Sequence, residues 1–260
     1  MRGGRSEVGL HDDFSFDELS SAYNFQQTSD WAGLFVRLLV DELTAIEPPT
    51  AAVDIGCGCG IGGSVDRLHA VRVAATELWG VEPDNGVPEP PGIFDTFLRA
   101  SVENAGLPDG RFDLAYSFMV MEHVTDPEAF LGSVRASLKP SGTYMFLTVN
   151  GRHYFARVAR VARALRIDEG LLRIVRKHDD VERYHHPVQY RCNVPGVIDR
   201  FAARTGFEPP EYVFIEEDGP SDYMPGPLRP ALRALQWRRA VVRRPELLLT
   251  MIVRMRAAAT

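Results

Sequence analysis

The run Val53-Asp54-Ile55-Gly56-Cys57-Gly58-Cys59-Gly60 carries an apolar strand straight into a turn with glycine at alternate positions. Glycine tolerates positive φ and lets the backbone come close to a ligand. A helix starting just beyond such a turn offers unpaired N–H groups to an electronegative ligand end. In an open α/β sheet this is where a cofactor lies, beyond the carboxyl ends of the strands. Two registers compete here. Gly58-Cys59-Gly60-Ile61-Gly62-Gly63 matches the dinucleotide pattern G-x-G-x-x-G, which would make the chain an NAD-dependent oxidoreductase, although the match starts four residues past Asp54. A tight turn without a ligand is the plainest alternative. Further on, Leu78-Trp79-Gly80-Val81-Glu82-Pro83 ends a second strand on an acid. Glu82 can accept hydrogen bonds from both hydroxyls of a ribose. Glu77 is the rival acid, but it starts that strand and would point away.

Proton-moving chemistry has a candidate in His123, within Phe118-Met119-Val120-Met121-Glu122-His123-Val124. An imidazole titrates near neutral pH and can act as a general base. A lone histidine is as readily structural. His153, His185 and His186 are second-rank candidates in a polar loop where Tyr184 and Tyr190 can pack as a lid. Glu122 and His123 together offer ligands to a divalent metal, but two adjacent side chains make a poor site, and no metal is expected.

These residues need elements to place them. Apolar positions at Trp31, Leu34, Phe35, Leu38, Leu39 and Leu43 recur at helical spacing, with Ser29 or Asp30 as cap and Pro48-Pro49 as the stop. Strands are expected over 51–55, 77–81, 97–102, 111–119 and 143–149, with a turn at Lys139–Gly142. Helices are expected over about 61–69 and over 127–138, the latter capped by Asp126 with Pro127 in its first turn. A break in the rhythm over 151–193 holds an Arg-rich helix, Tyr154–Lys177, and a loop rich in His and Tyr. A helix over 195–205 stopped by Gly206, a strand over 212–216 and a last strand over 247–255 follow. Strands alternating with helices predict a mostly parallel sheet covered on both faces.

Composition narrows the class. Apolar residues make up 45% and charged residues 25%, as in an ordinary globular protein. A chain of 260 residues buries enough surface to need neither disulfide nor metal for stability. Cys57, Cys59 and Cys192 form no disulfide framework, which fits a reducing compartment. With no apolar core of signal-peptide length at the start and no long apolar run, the expected location is the cytoplasm, without membrane insertion. Residues 1–150 hold 9 basic and 22 acidic side chains, residues 151–260 hold 20 and 13, and the net charge is −6. Arg157, Arg160 and Arg163 could meet an anionic substrate or membrane surface, or simply face solvent. Nothing matches a nucleic-acid-reading module.

The register of Asp54 with Gly56, Gly58 and Gly60 resembles motif I of class I methyltransferases. Ala100-Ser101-Val102-Glu103, followed by Asp109-Gly110-Arg111-Phe112-Asp113, resembles their G-D-A-E and D-G-x-F-D segments. Ser101 stands where an Asp touches the adenine amino group. Met121-Glu122-His123-Val124 and Leu138-Lys139-Pro140-Ser141-Gly142 resemble the M-E-H-V and L-K-P-G-G elements of small-molecule methyltransferases, including the ubiquinone O-methyltransferase type. Together the segments cover about 51–150 in the family's order. More loosely, Thr148-Val149-Asn150 and His153-Tyr154 resemble the step into a long insertion in bacterial relatives.

The resemblance implies a Rossmann-like, mostly parallel seven-stranded sheet with helices on both faces and a helical insertion after strand five. It implies an N-terminal segment over 1–28, partly mobile, and one methyltransferase domain over 29–260 with a lid at about 151–193. S-adenosylmethionine would be the cofactor, contacted by Asp54, Gly56, Cys57, Gly58, Gly60, Glu82, Ser101, Val102 and Phe118, with Gln26, Gln27 and Trp31 closing over it. A small-molecule acceptor, anionic if the arginine stripe meets it, would be methylated on a hydroxyl oxygen with His123 as base. A non-catalytic cofactor-binding protein on the same fold is the remaining alternative.

Overall fold

Alternation along the strands builds the molecule. In the second strand Val53 and Ile55 face one apolar cluster while Ala52 faces the other. Successive side chains of a strand point to opposite faces, so each strand feeds two cores. A computed structural model describes residues 14–21, 26–27, 30–153, 188–216, 244 and 247–259. Its elements are α1 (Phe16–Ser21), β1 (Gln26–Gln27), α2 (Trp31–Thr44), β2 (Ala51–Ile55), α3 (Val65–Ala74), β3 (Glu77–Val81) and β4 (Thr96–Leu98). They continue with β5 (Phe112–Phe118), α4 (Pro127–Ser137), β6 (Leu138–Val149), α5 (Pro195–Thr205), β7 (Glu211–Glu216) and β8 (Thr250–Arg256).

The strands lie in the order β1-β7-β8-β6-β5-β2-β3-β4. All pairings are parallel except those of β8, which runs antiparallel between β6 and β7. The expected seven-stranded, Rossmann-like sheet is therefore present, with the two-residue β1 added beside β7. One face is covered by α1, α2 and α3 through Phe16, Phe35, Leu39 and Leu68. The other is covered by α4 and α5 through Phe130, Leu131, Ile198 and Ala202. The expected insertion helix at Tyr154–Lys177, with its arginine stripe, and His185, His186 and Tyr184 lie outside the described residues.

Local chemistry explains most boundaries. Asp30 caps α2 by accepting from Gly33 N at 2.9 Å, and it also pairs with Arg67 of α3 at 2.8 Å. Asp126 caps α4 by accepting from Glu128 N and Ala129 N, and Gly206 ends α5 at φ 81°. Three expectations need correction. The helix expected over 61–69 begins instead at Val65, because the glycine turn runs on through Gly63 and Ser64 supplies the cap. The strand expected over 97–102 stops at Leu98, and Ser101 to Asn104 form a turn closed by Asn104 N to Ser101 O at 2.9 Å. Lys139–Gly142 is absorbed into β6 as an irregularity: the register jumps from Phe112↔Leu138 to Leu114↔Thr143, and Ser141 takes φ 62°.

One polar cluster binds the edges together. Arg254 of β8, 5% exposed, bonds Glu211 of β7 at 2.8 Å and reaches Glu42 of α2 at 3.4 Å. It also pairs with Asp17 and stacks over the Phe16 ring of α1 at 4.2 Å. Glu42 further accepts from Thr143 of β6 at 2.8 Å.

Candidate functional site

The glycine turn, the end of β3 and the end of β5 meet at the carboxyl edge of the sheet. Gly56 N bonds Val81 O at 2.7 Å, which hooks the turn to the end of β3. Gly56 has φ 71°, and a Cβ there would meet Val120 Cγ2 at 2.6 Å. The turn after β5 therefore packs directly on the glycines. Gly60 has φ 95°, and its Cβ would meet Ser64 O at 2.7 Å, so neither position accepts a side chain. Gly58 differs: its Cβ would have no neighbour nearer than Gly56 O at 3.9 Å, which leaves a bare stretch of backbone.

Glu82 is 5% exposed and spans this corner. Its Oε2 accepts from Gly58 N at 2.8 Å and its Oε1 from Asp84 N at 2.9 Å. A carboxylate has about four acceptor positions, so each oxygen keeps capacity for one further donor. Glu77, the rival acid, is occupied elsewhere: Trp79 Nε1 and Arg111 both bond it at 2.5 Å. Arg111, with its indole neighbour, lowers the Glu77 carboxyl below its usual range.

Asp54 lies beneath the turn, 2% exposed, and its Oδ2 is buried without a hydrogen-bond partner. Burial pushes its carboxyl well above the carboxylate range. The Tyr116 hydroxyl pulls the other way, and the Glu82 charge adds to the rise. Tyr116 is near enough to ease the charge yet lacks hydrogen-bond geometry, since its own hydroxyl is also unpartnered. Cys57 is buried and its thiol is pushed up, by desolvation first and then by Asp54 and Glu82. Cys59 is exposed.

The other candidates divide. Ser101 Oγ accepts from Asn104 Nδ2 at 3.0 Å beyond β4, on the strand next to Glu82. Val102 puts its side chain into the apolar core, so only its backbone can face a ligand. Phe118 stacks on Trp31 with ring centroids 5.0 Å apart and also touches Phe35 at 5.8 Å. A Cβ at Gly62 would meet Ala32 Cβ at 3.0 Å, so the start of α2 lies against the glycine loop. Gln26 and Gln27 add a strand beside β7 rather than joining this corner.

His123 is half-buried in the turn after β5, with its N–H bonded to Val120 O at 2.9 Å. Its neighbour Glu122 is 4% exposed and anchors the chain that returns from the insertion. Glu122 O accepts from Gln189 N at 2.6 Å and from Tyr190 N at 3.1 Å. Thr148 Oγ1 donates to Glu122 Oε2 at 2.8 Å, and Asn193 Nδ2 donates to Thr148 Oγ1 at 2.6 Å. Asn193 was not among the expected site residues. Nothing in its local sequence marks it, because its partners lie in β6 and just after it. His153 is buried near this network, with its N–H on Asn150 O at 3.0 Å. Among the described residues no group of three His, Cys, Asp or Glu side chains could hold a metal ion, and no helix is long and apolar enough to cross a membrane.

Burial pushes the Glu122 carboxyl from its ordinary 4.5 up to about 7. An acid that keeps its proton longer when folded makes the folded state bind more protons than the unfolded one. Stability then falls as pH rises between those two values. The loss is about 3 kcal/mol, fully present above pH 8 and absent below pH 4. Glu122→Gln removes it, so the variant is expected to be more stable than wild type at pH 8 and equal to it below pH 4. Denaturant melts at both values test this, and a stability difference independent of pH refutes it.

The fold and this corner fit S-adenosylmethionine: bare backbone at Gly58, an unpaired buried carboxyl oxygen at Asp54 and spare acceptor capacity at Glu82. Strand order, glycine turn and acid after β3 define a class I S-adenosylmethionine-dependent methyltransferase. A family described as a methyltransferase domain matches residues 26–186, and the chain belongs to it. S-adenosylmethionine is accordingly its cofactor, and the dinucleotide reading of Gly58–Gly63 is not favoured. A ubiquinone biosynthesis O-methyltransferase of Cereibacter sphaeroides is 33% identical over 104 residues, 38% of this chain and 40% of that protein. Its counterpart in Paramagnetospirillum magneticum is 49% identical over 87 residues, 34% of this chain and 27% of the other. The match to the first of these thus spans about two fifths of its length. A SAM-dependent methyltransferase structure from Archaeoglobus fulgidus shares the fold, with a TM-score of 0.56 at 15% identity, covering 93% of this chain and 97% of that one.

Proposed function

We propose that this chain transfers a methyl group from S-adenosylmethionine to a hydroxyl oxygen of a small molecule, with His123 as the general base. The observation that carries this reading is the packing of Val120 on Gly56, which sets the His123 turn against the glycine turn. The printed function of the O-methyltransferase relatives supports oxygen as the acceptor atom.

When bound, S-adenosylmethionine supplies the activated methyl group, so the demanding chemistry is the cofactor's. The protein's residues bind, orient and move a proton. Gly58 would offer backbone to the amino-acid end, Glu82 would accept from the ribose hydroxyls, and Ser101 with the backbone of Val102 would hold the adenine. Phe118, held by Trp31, walls the corner. His123 takes the acceptor's proton. Glu122 O ties that turn to Gln189 and Tyr190 through their backbone N–H groups.

S-adenosylhomocysteine should raise the melting temperature and NADH should not; the opposite result would return the chain to the dinucleotide reading. His123→Ala is expected to lower turnover about 100-fold or more, the usual worth of a general base, while cofactor affinity changes little. Wild-type turnover in that variant would remove His123 from the mechanism.

A further inference from the structure

The proposed reaction makes no direct use of the Thr148 hydroxyl or the Asn193 amide, yet both are withdrawn from water beside the His123 turn. Thr148, near the end of β6, is 0% exposed, Asn193 is 1% and Glu122 is 4%. Burying such groups is costly unless their hydrogen bonds are made. The bonds they make run in one direction. Asn193 Nδ2 donates to Thr148 Oγ1 at 2.6 Å and to Val149 O at 3.3 Å. A hydroxyl has a single proton to give, and Thr148 gives it to Glu122 Oε2 at 2.8 Å. Glu122 is thereby held twice from the segment 189–193. Gln189 N and Tyr190 N hold its backbone O, and Asn193 holds its carboxylate through Thr148. Gly151 N closes the corner on Asn193 O at 2.6 Å. Left-handed backbone at non-glycine residues falls on both sides of this knot. Met119 has φ 57° in the His123 turn, and Tyr190 has φ 51° on the facing segment. Such a conformation is uncommon for a residue with a side chain, and it persists where the surroundings over-determine it.

We infer that Thr148 and Asn193 are positioning residues: the directed chain from amide to hydroxyl to Glu122 sets the His123 turn against residues 189–193. A general base works only when held in place relative to its acceptor, and a base on a turn needs that turn tied to a rigid element. Strand β6 is the rigid member. Thr148 pairs with Met251 of β8, and Leu147 O accepts from Met119 N at the start of the turn at 2.9 Å. The chain shares no residue with the corner formed by Glu82, Gly58 and Asp84, so cofactor affinity should not depend on it. Its bearing on catalysis rests on the reading of His123 as base.

Thr148→Val keeps the shape and removes the hydroxyl, whereas Thr148→Ser keeps the hydroxyl. Magnetic resonance of the full chain, labelled at histidine and at backbone nitrogen, reads both sides of the knot. The His123 ring signals are assigned by their loss in His123→Ala. Thr148→Val should move those signals in the folded protein. It should also speed amide exchange at Gln189 and Tyr190, relative to amides of β2, by about tenfold, the worth of one hydrogen bond. Thr148→Ser should restore both signatures, and affinity for S-adenosylhomocysteine should stay level in both variants. A merely structural role would lower the melting temperature and leave the His123 signals where they are. Unmoved signals in Thr148→Val, or signals that Thr148→Ser does not restore, overturn the proposal. Should Thr148→Val fail to fold, Asn193→Ala breaks the chain at its start and carries the same expectation and the same refutation. Wild-type turnover by His123→Ala would reject the base, and the ring signals and exchange rates would still decide whether Thr148 and Asn193 set the turn.

Discussion

Glu82→Ala is expected to weaken binding of S-adenosylhomocysteine by at least about 100-fold. On the proposed ribose contact, two hydrogen bonds to a charged acceptor would be lost, each worth about 1.5–3 kcal/mol. Positioning is lost as well, because Gly58 N and Asp84 N both rest on this carboxylate, at 2.8 and 2.9 Å. Without it the Gly58 N–H loses its partner. Glu82→Gln keeps one acceptor oxygen and the side-chain shape, so it should fall between wild type and alanine. Calorimetric dissociation constants decide the matter, and an unchanged value for the alanine variant removes Glu82 from the ribose.

Arg254→Met should be the most damaging substitution for stability away from the site. Its three carboxylate partners do not count equally. Asp17 has a side chain 76% exposed, and exposed pairs contribute little. Glu42 is only 13% exposed and would be left facing Thr143 and Arg256 alone. Removing one member of a buried pair costs about 3–5 kcal/mol. At about 2–4 °C per kcal/mol for a chain of this size, the melting temperature should drop by roughly 10 °C. Adding Glu42→Gln removes a charge then left with Arg256 as its one cation and should restore part of the loss. A single variant melting within a degree or two of wild type would show that the cluster is decorative.

Much of this was legible from sequence wherever a residue acts on its own neighbourhood. Asp30, Asp126 and Gly206 mark helix ends because a cap bonds the next turn. Strands β2 and β3 were read to the residue because both are short, apolar and bounded by turn formers. The start of α3 was misread because Ile61 mimics a helical apolar position while its flanking glycines hold positive φ. The β6 irregularity was hidden because Lys139–Gly142 is turn-like by composition, and only the pairings of Leu138 and Thr143 with β5 on either side carry the strand across it. Long-range polar partners left no mark at all. Thr148 to Glu122, Asn193 to Thr148 and Arg254 to Glu42 each join residues from separate elements, and no spacing rule announces them.

The antiparallel strand β8 has a consequence for how the chain comes off the ribosome. It is an interior strand, wedged between β6 and β7, and it is the last of the sheet to be made. Until Thr250–Arg256 arrives, β6 exposes an unpaired edge and β7 has no place to dock. Such unfilled edges invite pairing with other chains. A nascent chain halted before Thr250 is thus a gapped sheet, and chaperone protection should be needed most in the interval between synthesis of β6 and synthesis of β8.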